Sequence, residues 1–189
     1  MQKGKQTRSN NFAYFCGMPK KFEEFNLNRQ ILNAVEDAGF TSATPIQEKA
    51  IAPVLSGQDI FGIAETGTGK TAAYLLPILM KLKYAQHDSA RALILAPTRE
   101  LAMQITEHAV LFSKYTDLRT VVIYGGLGPK TQIEQLKKGV DIIVATPGRF
   151  LDIYLAGHIN TQYLKFLVLD EADKMMDMGF IGKLHRILE

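Results

Sequence analysis

Ala64-Glu65-Thr66-Gly67-Thr68-Gly69-Lys70-Thr71 is the stretch on which the reading of this chain turns. It follows an apolar run, Ile60-Phe61-Gly62-Ile63, that predicts a buried strand, and it precedes Ala72-Ala73-Tyr74-Leu75-Leu76, which predicts a helix. A glycine-rich turn between strand and helix lets backbone N–H groups curl around phosphate oxygens at the positive end of the helix dipole. Thr66, Gly67, Thr68 and Gly69 supply that turn. Lys70 then reaches the outer phosphates, and Thr71 offers its hydroxyl to Mg²⁺. The strict pattern of such a loop has glycine where Ala64 stands. Alanine tolerates most of that turn but not φ > 0, so the loop is expected to enter in an ordinary conformation.

A competing reading lies inside the same stretch. Gly67-Thr68-Gly69-Lys70-Thr71-Ala72 fits G-x-G-x-x-A, the dinucleotide fingerprint, which needs an acidic residue ending the next strand. That strand, Leu93-Ile94-Leu95, ends in Ala96-Pro97 instead, and the phosphate-loop reading is preferred.

The bulk of the chain suits that choice. Its 189 residues, 47% of them apolar, are enough for one domain with a substantial core. A net charge of +3 is too mild to argue for nucleic acid by a broad basic field; any such partner would be held by placed groups. Cys16 is the single cysteine, so no internal disulfide forms and a reducing, cytoplasmic location is expected. The first residues, Met1 to Asn11, lack the apolar core of a signal peptide, and no run is long enough to span a membrane. Residues 1–20, with Lys3, Lys5, Arg8, Lys20 and Lys21, read as a basic, flexible arm, and residues 21–189 as the domain.

From Leu27 to Ala38 the apolar residues fall at helical spacing, with Gly39 as a stop. Thr44-Pro45 caps and opens a second helix that ends near Gly57. Beyond it, β-rich runs at 60–64, 91–96, 120–124, 141–145 and 166–170 alternate with helical stretches near 70–83, 98–114, 129–138 and 147–155. That alternation predicts an α/β fold, a three-layer sandwich around a mainly parallel sheet. Ligands of such sheets sit at the carboxyl ends of the strands.

Phe166-Leu167-Val168-Leu169 leads at that end into Asp170-Glu171-Ala172-Asp173. A carboxylate there can hold Mg²⁺ on nucleotide phosphates, usually through water, and a second can orient or deprotonate the attacking water. Asp170 suits the metal and Glu171 the water, with Lys70 as the third catalytic candidate. The four histidines, His87, His108, His158 and His185, make no metal-ligand spacing.

With these two motifs quoted, the chain resembles the DEAD-box ATP-dependent RNA helicases, in their first RecA-like domain. Pro97-Thr98-Arg99-Glu100-Leu101-Ala102 resembles that family's first RNA-contact motif, and Gly125-Gly126 and Thr146-Pro147-Gly148-Arg149 resemble the next two. Gly39-Phe40-Thr41-Ser42-Ala43-Thr44-Pro45-Ile46-Gln47 resembles the adenine-reading Q motif, with Phe22 where its isolated aromatic belongs. The resemblance implies ATP or ADP with Mg²⁺ as ligands and single-stranded or duplex RNA as partner. A glutamine reads adenine by accepting from N6 and donating to N7, so Gln47 is expected to favour ATP over GTP. Phe40 is expected to stack on the base and Phe22 to pack behind Gln47. Thr98 and Thr146 open helices, where free N–H groups meet phosphates; capping alone is the competing reading. Gly125 and Gly126 allow close approach of a sugar–phosphate chain, and Arg99 and Arg149 add charge.

The resemblance also implies parts that this sequence does not match: a second RecA-like domain, and a Ser-Ala-Thr motif on a further strand between the phosphate-loop strand and the Asp170 strand. A central gap in the sheet is therefore expected, and a monomer unless a neighbour completes it. The rival readings are a non-catalytic nucleotide- or RNA-binding scaffold, a P-loop kinase, and a GTPase, the last disfavoured because no Asn-Lys-x-Asp guanine reader is present.

Overall fold

Four short apolar runs build the sheet: β1 (Ala92–Leu95), β2 (Thr120–Ile123), β3 (Ile142–Ala145) and β4 (Phe166–Leu169). All pairings are parallel, in the order β2-β3-β1-β4, with Leu93 beside both Ile143 and Leu167. This computed structural model describes residues 19–86, 88–126 and 128–189. The expected basic arm up to residue 18, Cys16 and His87 lie outside the described residues.

Helices supply the crossovers that parallel strands require. They are α1 (Arg29–Asp37), α2 (Pro45–Leu55), α3 (Lys70–Leu82), α4 (Arg99–Phe112), α5 (Lys130–Lys137), α6 (Pro147–Leu155), α7 (Ala172–Asp177) and α8 (Ile181–Leu188), preceded by a 3₁₀ turn at Phe22–Phe25. Side chains of a strand alternate between faces, and the sheet uses both. Ala92, Ile94, Ile142 and Val144 join one apolar layer with Ile31, Ile51, Leu75, Leu79, Ile105 and Phe112 of α1 to α4. Leu93, Leu95, Ile143, Ala145, Val121 and Ile123 join the other with Leu136, Phe150, Ile153, Met175 and Leu184 of α5 to α8. Continuous apolar strands are what a sheet covered on both faces needs, and the expected three-layer α/β sandwich is observed.

The first expected strand is the main departure. Residues 60–64 form no strand, and Ile60, Phe61 and Ile63 are 43%, 89% and 85% exposed. Their composition suits a strand, but a strand exists only where a neighbour takes its backbone N–H and C=O groups. β4 is an edge of the sheet, and among the described residues no strand lies against its outer side. Helices α7 and α8, which the sequence reading left unassigned, cover one face of the sheet with Met175 and Leu184.

At the amino ends of the strands an ionic cluster fastens the layers. Asp141, fully buried, accepts from Arg91 at 2.8 Å and from Arg119 at 3.0 Å. Arg91 is itself 2% exposed and donates to the carbonyls of Leu82 and Tyr84, tying the end of α3 to the sheet.

Candidate nucleotide and nucleic-acid site

The opposite, carboxyl ends of the strands carry every candidate residue that follows a strand. α3 begins at Lys70, and the turn before it uses left-handed backbone at Gly67 (φ +82°) and Gly69 (φ +88°). Ala64 does not take a positive φ, as expected from its side chain. Thr68 Oγ1 donates to the Glu65 carbonyl at 2.7 Å, which closes the turn. Lys70 Nζ donates to the Ala64 carbonyl at 2.8 Å. The lysine thus folds back across its own loop and must leave that carbonyl to reach a phosphate.

Gln47 sits under the turn. It is 0% exposed, its Oε1 accepts from the Thr44 N–H at 2.9 Å, and its Nε2 donates to the Gly69 carbonyl at 3.1 Å. One amide therefore caps α2 and holds the phosphate loop. A side chain on Gly69 would meet Nε2 of Gln47 at 2.4 Å, so the loop's glycine and the glutamine fit only each other. Phe22 is 3% exposed and meets Phe25 and Phe40, and Phe40 in turn meets Phe112 edge-on at 5.5 Å. Both rings belong to the core beneath α2, with Phe40 only partly buried.

Asp170 ends β4 and is 8% exposed. Its Oδ2 accepts from the Tyr74 hydroxyl at 2.9 Å, which joins α3 to the carboxylate motif. Burial raises the Asp170 carboxyl above its ordinary value, against the downward pull of the Tyr74 hydrogen bond and the Lys70 charge. Burial, followed by the charge of Asp170, pushes the Tyr74 hydroxyl well up. Glu171 takes a left-handed conformation, φ 50° and ψ 50°, costly for a residue with a side chain and held here by the start of α7. Its carboxylate lies 3.4 Å from Lys174 Nζ.

The remaining candidates follow β1, β2 and β3. Thr98 caps α4 by accepting from the Leu101 N–H at 3.2 Å. Thr146 precedes Pro147 at the start of α6, and its side chain makes no such cap bond. Pro97 is buried, and Gly148 and Arg149 are half-buried in the turn after Thr146. Arg99 lies over the Tyr124 ring at 4.5 Å, which brings it beside exposed Gly125 and Gly126. Gln132, 7% exposed, holds both backbone groups of Tyr124, accepting from its N–H at 3.1 Å and donating to its carbonyl at 3.2 Å. Because the sheet order is β2-β3-β1-β4, these groups line one edge in sequence: 125–126, 146–149, 97–99, then 170–171. The reading of the sequence missed Tyr74 and Gln132. Tyr74 carried a signal, a polar-tipped ring on an otherwise apolar helix just after Lys70 and Thr71; Gln132 carried none.

A family model described as DEAD/DEAH box helicase matches residues 44–189. The chain belongs to the DEAD/DEAH box helicase family. The "DEAD-box ATP-dependent RNA helicase 30" of Arabidopsis thaliana is 46% identical over 173 residues, covering 89% of this chain and 29% of the relative. The "DEAD-box ATP-dependent RNA helicase RhpA" of Helicobacter pylori (strain B128) is 46% identical over 168 residues, covering 89% of this chain and 34% of the relative. The crystal structure of a DEAD box protein from the hyperthermophile Methanococcus jannaschii superposes with a TM-score of 0.84 at 40% identity, covering 89% of this chain and 46% of that one. The α/β sandwich expected from the strand–helix alternation is that of a DEAD-box helicase domain, the RecA-like fold that the resemblance implied. The chain spans about a third of the length of these curated helicases. Among the described residues, no helix is long and apolar enough to cross a membrane.

Proposed function

We propose that this DEAD-box chain is the nucleotide-binding domain of an RNA-dependent ATPase, that it binds Mg-ATP and the backbone of single-stranded RNA, and that with a second RecA-like domain it separates short RNA duplexes. The observation that carries the reading is the hydrogen bond from Tyr74, on α3 just after Lys70 and Thr71, to Asp170, on the same sheet edge as the 97–99, 125–126 and 146–149 turns.

Each residue has a role that its position supports. Lys70 leaves the Ala64 carbonyl for the outer phosphates, while the N–H groups of 66–69 face the inner ones. Gln47 reads adenine once its buried amide is opened to the base: each end spends one hydrogen bond on Thr44 and Gly69, and one N–H and one lone pair are not spent on them. Guanine presents an acceptor where adenine presents a donor, a discrimination of roughly 1–3 kcal/mol. Among the described residues no group of three or more His, Cys, Asp or Glu side chains could hold a metal alone. That fits Mg²⁺, which takes one or two protein oxygens and fills its shell with phosphates and water. Thr71 and Asp170 would hold it, partly through water, and the metal would neutralise charge that develops on the phosphates. Glu171 orients the attacking water and accepts its proton. A second RecA-like domain would supply an arginine of the kind worth about 10³–10⁵ in rate.

Thr98, Thr146 and the helix starts behind them receive RNA phosphates, with Arg99 and Arg149 adding charge and Gly125 and Gly126 allowing close passage. Contacts to the backbone make the binding tolerant of sequence, and contacts to 2′-hydroxyls favour RNA over DNA. Calorimetric titration with Mg-ADP and Mg-GDP, repeated with Gln47→Ala, tests the nucleotide reading. Binding of ADP alone, lost in the variant, is expected; equal binding of both nucleotides refutes the role of Gln47.

A further inference from the structure

Tyr74 has no part in the roles above, yet its hydroxyl is bonded to a side chain assigned to the metal. It stands one helical turn beyond Lys70 and Thr71 on α3, so it rises on the same face of the helix. Its Oη donates to Oδ2 of Asp170 at 2.9 Å. An ionised carboxylate only accepts, so the single phenolic proton goes to Asp170.

We propose that Tyr74 is a positioning residue for the nucleotide-bound metal. By engaging Oδ2 of Asp170 it holds the carboxylate in one orientation and leaves Oδ1 free of that bond. A carboxylate free to rotate would give up its alignment. The phenol fixes it without touching the metal. The inference rests on the nucleotide reading of this site.

The test is titration of the chain with N-methylanthraniloyl-ADP in excess Mg²⁺ and again in EDTA, for wild type, Tyr74→Phe, Asp170→Asn and the double variant. The ratio of the two affinities is the metal's gain. Tyr74→Phe keeps the ring and should keep the metal-free affinity, while the metal's gain falls about tenfold, the loss expected for a hydrogen bond to a charged group. In the Asp170→Asn background the phenylalanine should remove nothing further. An undiminished metal gain in Tyr74→Phe overturns the positioning role and leaves the nucleotide site standing. An equal drop with and without metal also overturns it, because the hydroxyl then serves the loop and not the metal. Absence of any nucleotide binding by the wild-type chain overturns the nucleotide reading, and the role of Tyr74 falls with it.

Discussion

Replacing Gln47 by glutamate tests the link between the α2 cap and the phosphate loop. The two side chains have the same shape, so no cavity forms. The Thr44 N–H, 2.9 Å from Oε1, keeps its acceptor. The Gly69 carbonyl, 3.1 Å from Nε2, loses its donor and faces an oxygen instead. Because the site is fully buried, water does not make up the loss. An unsatisfied buried acceptor costs about 1–3 kcal/mol, and the uncompensated charge adds to it, for a total of about 2–4 kcal/mol at pH 7. With no tryptophan in the chain, unfolding in urea is best followed by far-ultraviolet circular dichroism. At the usual dependence on urea, the midpoint should fall by about 1 M or more. The effect should depend on pH in one direction. A glutamate facing a carbonyl prefers to be protonated in the folded chain, so its folded pKa lies above the ordinary value near 4.3. The deficit against wild type is then full above the folded value. It shrinks as pH falls through that value and is gone below the unfolded one, where the protonated carboxyl again donates to Gly69. A midpoint equal to wild type at pH 7, or a deficit indifferent to pH, would refute the assigned contact.

Three further outcomes follow from the same coordinates. Gly67→Ala should cost only the left-handed backbone, about 1–2 kcal/mol, since nothing lies within 4 Å of the added methyl; Gly69→Ala should cost more, about 2–5 kcal/mol, because its methyl would meet Gln47 at 2.4 Å. Paired urea melts separate them, and equal losses would count against the contact. Asp141→Ala leaves the Arg91 guanidinium buried without its carboxylate and should cost about 3–5 kcal/mol. Burial pushes the Asp141 carboxyl up, but hydrogen bonds from Arg119 and Arg91 outweigh it and hold it below the ordinary 3.8. Its contribution is therefore complete above that value and lost as pH falls through the lower folded one, which acid titration of both chains can follow. Finally, exposed Phe61 and Ile63, together with the unpaired edge of β4, should drive self-association as concentration rises, and Phe61→Ser with Ile63→Ser should reduce it in light scattering. A wild-type chain that stays monomeric at high concentration would contradict this.

What the sequence made legible was local. Thr44-Pro45, Thr98 and Pro147 mark the starts of α2, α4 and α6 because caps and N1 prolines act within a turn of the helix they open. The β1 and β3 runs are readable because strands buried on both faces are apolar throughout, and the partly buried β2 and β4 keep a mainly apolar, β-rich composition. Placing the candidate residues after those strands then brought them to one edge. The failures depend on distant partners. The 60–64 run has the composition of a strand, but its state depends on a neighbour that no local signal reports. Tyr74 meets a carboxylate 96 positions away. Gln132 looks like any polar residue of α5 until the Tyr124 backbone is found against it.

The bond from Lys70 to the Ala64 carbonyl makes the phosphate loop its own competitor. Any ligand that recruits the lysine must first open that contact, so the measured affinity is the intrinsic one reduced by the fraction of chains in which the lysine is already free. A bond of ordinary net strength, about 1 kcal/mol, lowers the apparent affinity about fivefold. A nucleotide offsets that loss with its base and sugar, whereas a free phosphate has nothing else to offer. On the proposed nucleotide reading, the lysine sets a threshold for occupancy, which favours ligands that engage the loop and the Gln47 side of the site together.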